Sequence, residues 1–205
     1  MRHPIRFVVA PIAAGALLLG ACGSDSSGSS ESTSAPAAES VGESAGEFND
    51  ADVLFAQSMI PHHEQAVEMA SFALDPAAGA SAEIQALATQ IQGAQDPEIE
   101  LMTGWLEGWG QPMDMEGMEG MDDMAGMEGM DGIMSAEDMT SLAALTGAEF
   151  DTAWTEMMIA HHEGAIAQAQ TAKAAASNPD VLLLADQIIA AQQAEIDEMT
   201  ALLAG

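Results

Sequence analysis

From Phe48 onward the apolar residues recur at alternating steps of three and four, the spacing that lays a stripe along a helix of 3.6 residues per turn. Val53, Ala56, Ile60, Val67, Ala70 and Leu74 form one such stripe. It predicts a helix from about Asn49 or Asp50, both good N-caps, to Asp75 just before Pro76. A second helix is predicted from near Ser81 to near Gly110, with Ile84, Leu87, Ile91, Met102, Trp105 and Trp109 on its apolar face. A short one follows from Ser135, where Asp138 completes a capping box, to near Gly147. Two further long helices cover about Ala148–Ser177 and Asn178 or Pro179 to the C-terminus, the last with proline at its first position.

The four long segments are two copies of one pair. FAQSMIPHHEQAVEMA (55–70) returns as WTEMMIAHHEGAIAQA (154–169), so Met59, His62, His63 and Glu64 recur as Met158, His161, His162 and Glu163. LATQIQGAQDPEIELMTGWL (87–106) returns as LADQIIAAQQAEIDEMTALL (184–203), so Gln95, Glu98, Ile99 and Met102 recur as Gln192, Glu195, Ile196 and Met199. Two helix pairs make an all-α fold, a four-helix bundle built by duplication over 48–205.

The chain before this bundle reads differently. Arg2 and Arg6 precede an apolar run from Phe7 to Gly20, and Leu19-Gly20-Ala21-Cys22 has the form of a lipobox. Residues 1–21 are therefore expected to be a lipoprotein signal peptide, too short and wrongly flanked to span a membrane. The lone Cys22 is the expected lipidation site, and a chain with one cysteine can form no internal disulfide. Residues 22–47, rich in Ser, Gly, Ala and Glu, are expected to be a disordered tether. The expected location is the extracytoplasmic face of the cell membrane, held through the lipid alone.

After Cys22, Lys173 is the one basic side chain against 33 acids, a formal charge of about −32. Such a surface repels nucleic acid and attracts cations.

Placed on a helical wheel at about 100° per residue, His63 and His162 fall inside the apolar arcs, with Met59 and Met158 at their edge, and His62 and His161 fall outside. His63 and His162 are thus expected to be buried, each facing the other half, with His62 and His161 more exposed. Gln95 and Glu98 in the second helix, and Gln192 and Glu195 in the fourth, also lie on buried stripes. Buried polar groups need partners, and a histidine from one helix can satisfy a glutamate of its neighbour. Two readings stay open. The network sets helix register, or it is a metal site in which His and Met are ligands and Glu98, Glu195, Gln95 and Gln192 orient them.

Between the pairs lies a Met-rich crossover, 111–134. Met113, Met115, Met118, Met121, Met124, Met127, Met130 and Met134 are spaced mostly by three, with Gly, Asp and Glu between. That spacing and glycine content suit an exposed loop, not a buried helix. Thioethers are soft ligands that favour Cu(I) or Ag(I) over Mg²⁺, Ca²⁺ or Zn²⁺.

Several chemistries are excluded on paper. No glutamate precedes any of the four histidines at 62, 63, 161 and 162 by three, so the di-iron Glu-x-x-His pattern is missing. No His-Glu-x-x-His zinc motif, catalytic triad, phosphate loop or dinucleotide fingerprint is present.

The repeated M-I-x-H-H-E-x-A and Q-x-x-E-I-x-x-M steps resemble a bacterial family, domain of unknown function 305, over about residues 48–205. The resemblance implies a ferritin-like bundle, a periplasmic or surface location and a link to copper binding and tolerance. Its candidate metal residues are Met59, His62, His63, Met158, His161 and His162. Met69 also fits the first step, with Gln168 in its place in the second. The combined expectation is an extracytoplasmic copper buffer or chaperone, Cu(I) favoured and Cu(II) open, handing the ion to a metal-transfer protein. The alternatives are a metal-dependent redox enzyme on the same bundle and a structural lipoprotein with a polar core.

Overall fold

The computed structural model describes residues 46–113 and 132–205. The signal segment, Cys22 and nearly all of the tether lie outside the described residues, as do Met115, Met118, Met121, Met124, Met127 and Met130 of the crossover.

Five helices occur among the described residues: α1 (Asp50–Leu74), α2 (Ala82–Trp109), α3 (Ala136–Ala143), α4 (Gly147–Ala175) and α5 (Pro179–Ala204). Local chemistry sets their ends. Asn49 caps α1 by accepting from the Ala51 and Asp52 N–H groups, and Asp52 returns the bond to the Asn49 N–H. Ser81 caps α2, Ser135 and Asp138 form the capping box of α3, and Asn178 caps α5 ahead of Pro179. α2 ends on Gly110 in the left-handed conformation, φ 66°. α3 stops at Ala143, about a turn before the expected Gly147, which instead opens α4. Pro61 and Pro97 sit inside α1 and α2. No helix among the described residues is long and apolar enough to cross a membrane.

α1 packs on α2, α4 on α5, and α1 on α4, so the two halves join chiefly through α1 and α4. These two run antiparallel. The Asn49 side-chain amide at the start of α1 donates to the Ala175 carbonyl at the end of α4 (3.0 Å), and the Trp154 indole near the start of α4 donates to the Met69 carbonyl near the end of α1 (2.9 Å).

Besides Gln57 and Ser58, the buried residues of α1 fall into two rows. Asp52, Phe55, Met59, His62, Ala66, Met69 and Ala73 form one seam, and Val53, Ala56, Ile60, His63 and Ala70 form the row beside it. Glu64 and Leu74 are exposed. The stripe of Val53, Ala56, Ile60, Val67, Ala70 and Leu74 centres the wheel's arc on the second row. The seam carries Asp52 and His62 among Ala, Met and Phe, and a helix with two neighbours buries two faces.

Candidate metal centre

The apolar core is split in two. One cluster holds Met69, Ile84, Ile91, Phe150, Trp154, Met158 and Met199, and the other holds Met59, Ile60, Met102, Leu106, Ala165 and Ile188. Between them, at mid-height on all four long helices, lie the four histidines, Gln95, Glu98, Gln192 and Glu195. The sequence-predicted polar residues therefore come together as a layer across the bundle.

All four imidazoles are fully buried. This corrects the expectation that His62 and His161 would be more exposed. It also corrects which pair crosses the junction. His62 and His161 meet there, ring centroids 3.9 Å apart and planes 52° apart, whereas His63 and His162 turn toward their own half. The reason is the 100° between consecutive residues, which points one histidine of each pair at the partner half and the other at the partner helix.

His63 Nε2 lies 2.7 Å from Glu98 Oε2, joining α1 to α2, and His162 Nε2 lies 2.8 Å from Glu195 Oε2, joining α4 to α5. Gln90, which sequence reasoning missed, donates to the other Glu195 oxygen at 3.2 Å and links α2 to α5. The two pairs differ in exposure: the Glu98 side chain is 21 % exposed and that of Glu195 only 7 %. A carboxylate only accepts, so it holds an imidazole proton on Nε2 and turns Nδ1 away from the glutamate. Nδ1 of His63 and of His162 is buried with no hydrogen-bond partner among the described residues, as are both polar atoms of the Gln95 amide. Burial holds the His161 pKa well below the ordinary imidazole value, and the neighbouring His62, His162 and His63 push it further the same way. At His161 this favours neutral imidazole, the form that binds metals.

Met59, Met69 and Met158 are fully buried. Among the described residues no group of three or more His, Cys, Asp or Glu converges to hold a metal ion. The donors nearest the layer besides imidazole and carboxylate are the buried thioethers of Met59 and Met158, each one turn from a histidine. Of the crossover, the described ends are Met113, which is exposed, and Met134, which is half-buried against the first cluster. Gln57 donates to the Pro112 carbonyl at one end (2.8 Å) and Gln65 bonds the Met134 backbone at the other.

Fold and layer together define a class, duplicated helical bundles with an imidazole–carboxylate layer where the halves join. The chain belongs to the family described as domain of unknown function (DUF305), whose model matches residues 52–203. A DUF305 protein from Streptomyces coelicolor is 29% identical, with TM-score 0.67, over 75% of this chain and 91% of that one. A DUF305 fragment from Deinococcus radiodurans is 28% identical, with TM-score 0.66, over 78% and 99%. CopM in its Cu(I)-bound form is 30% identical, with TM-score 0.57, over 73% and 93%, and CopM structures with Cu(II) and with Ag match similarly. A search of the curated proteins finds no match.

Proposed function

We propose that this protein binds copper outside the cytoplasm, as Cu(I) in the first instance, and buffers or chaperones it in metal tolerance. The observation that carries the reading is the His62–His161 contact at the junction of the halves, 3.9 Å between ring centroids, with Met59 and Met158 buried one turn away. Four fully buried imidazoles are a poor way to stabilise a core, and a good way to hold a soft ion. The copper-bound and silver-bound forms of CopM support the same choice of metal. The methionines of the crossover provide a second set of soft donors, and the acidic composition draws cations in. Cys22 anchors the chain by lipid, the tether lifts the bundle from the membrane, and a metal-transfer protein receives the ion.

The test is elemental analysis after anaerobic Cu(I) loading, in competition with a calibrated chelator. Retained, stoichiometric copper is the expected result; loss of all copper to a weak chelator would overturn the proposal. A second reading rests on the two His–Glu pairs at 2.7 and 2.8 Å. In it the layer sets helix register, and only the crossover binds metal.

A further inference from the structure

The two halves differ on both sides of the paired histidines: Pro61 stands opposite Ala160 before them, and Gln65 opposite Gly164 after His-His-Glu. Gln65 and Gly164 both serve the same short segment, Gly132–Met134, where the crossover returns to the bundle. The Gln65 side-chain amide donates to the Met134 carbonyl (2.9 Å) and accepts from the Met134 N–H (2.8 Å), a two-point clamp from α1. On the α4 side, Gly132 lies so close that a Cβ there would stand 2.8 Å from the Ala160 carbonyl oxygen, 2.9 Å from that of His161 and 2.9 Å from the Gly164 Cα. Gly132 also adopts φ 85°, a conformation open to glycine. A side chain at 164 would compete for this space, and glycine leaves it open.

The antiparallel register of α1 and α4 shows where the segment crosses. His62 is level with His161, so Gln65 lies about one turn to one side of the pair and Gly164 about one turn to the other. A segment running from Gly164 to Gln65 therefore passes diagonally over the groove in which His62 meets His161. Met134 ends it with a half-buried thioether packed on the cluster that contains Met69 and Met158.

We propose that Gly132–Met134 is a strap that Gln65 locks over the His62–His161 pair, and that it governs access to that pair. Gln65 is a positioning residue, since it acts through the strap and not on the imidazoles. The amide clamp is a pair of hydrogen bonds near the protein surface, the kind of closure that opens locally without unfolding the helices. Only the consequence for metal uptake rests on the copper reading.

The test compares the metal-free protein with Gln65→Leu, which removes both bonds, and with Gly132→Ala, which lifts the strap from the α4 side. Carbethoxylation by diethyl pyrocarbonate is followed in time, and each modified histidine is located by peptide fragmentation. Helical circular dichroism confirms that both variants are folded. In both, modification of His62 and His161 should accelerate by about tenfold or more, as expected for losing two hydrogen bonds from a local closure, with His63 and His162 unchanged. Unchanged rates at His62 and His161, or equal acceleration at all four histidines, would overturn the strap. With Ag(I) as the probe, uptake should become faster at unaltered stoichiometry. Absence of silver binding in every form would count against the copper reading, while the modification rates still decide the strap.

Discussion

Asp52 and Asp151 each hold the turn of the opposite half. Asp52, at the start of α1 and fully buried, accepts from the Ser177 N–H and hydroxyl (3.2 and 3.0 Å) and from the Asn178 N–H (3.0 Å), where α4 turns into α5. Asp151, at the start of α4, accepts from the Ser81 N–H at 3.1 Å, where α1 turns into α2. The two recur at the same offset as the histidines. The duplicated halves are therefore stapled reciprocally at both ends, with the His62–His161 contact between the staples.

Unequal partners imply unequal losses. Asp52→Ala removes a buried carboxylate and leaves several donors unsatisfied, which should destabilise the protein by about 2–4 kcal/mol. Asp151→Ala should lower stability by about 1 kcal/mol. Urea unfolding of the metal-free protein measures both, and equal losses would contradict the asymmetry.

The His–Glu pairs should behave as coupled units. Glu195→Leu leaves the His162 Nε2–H buried without its acceptor and should cost about 2–3 kcal/mol; adding His162→Leu should restore stability to within about 1 kcal/mol of the parent. Glu98→Leu should cost less than Glu195→Leu, because the Glu98 side chain stands 21 % exposed and water already competes for its carboxylate. A double-mutant cycle reads the coupling, and strictly additive losses would show that the pairs are independent.

Stability should fall in mild acid. The folded protein holds the His161 pKa well below 6.5, so on acidification the unfolded chain takes up this proton first. Stability rises with pH wherever the unfolded state binds more protons. The His161 contribution is thus complete above about pH 6.5 and is lost as pH falls toward the depressed folded value. The urea midpoint of the metal-free protein, compared between neutral and mildly acidic buffer, should drop, and His161→Leu should flatten the slope in that window.

Metal should leave in two classes. Ions held by neutral imidazole are released as pH falls through the histidine range, whereas thioethers do not titrate there. Changing Met113, Met115, Met118, Met121, Met124, Met127, Met130 and Met134 to Leu should keep the bundle folded and remove the acid-resistant share of Cu(I) and Ag(I). A single acid-resistant class that survives His63→Leu with Glu98→Leu would leave the histidines a structural role alone.

The helices, their caps and the duplication could be read from the chain because each rests on neighbours in sequence: a spacing of three and four, Asn49, Ser81, Ser135 and Asn178 at N-caps, and a repeated His-His-Glu step. The pairing of His63 with Glu98 and of His162 with Glu195 was within reach for the same reason, since both partners lie on buried stripes of adjoining helices. The burial of His62 and His161 was not. A wheel knows one helix axis and cannot tell how many neighbours a helix has, nor that Ala, Met and His form the seam between the halves. The staples at Asp52 and Asp151 carried a signal in their shared offset, but their partners lie across the bundle. The strap left a fainter mark, the exchange of Gln65 for Gly164 right after the repeated His-His-Glu. Its meaning depends on where a distant segment of chain returns, and long-range packing settles that.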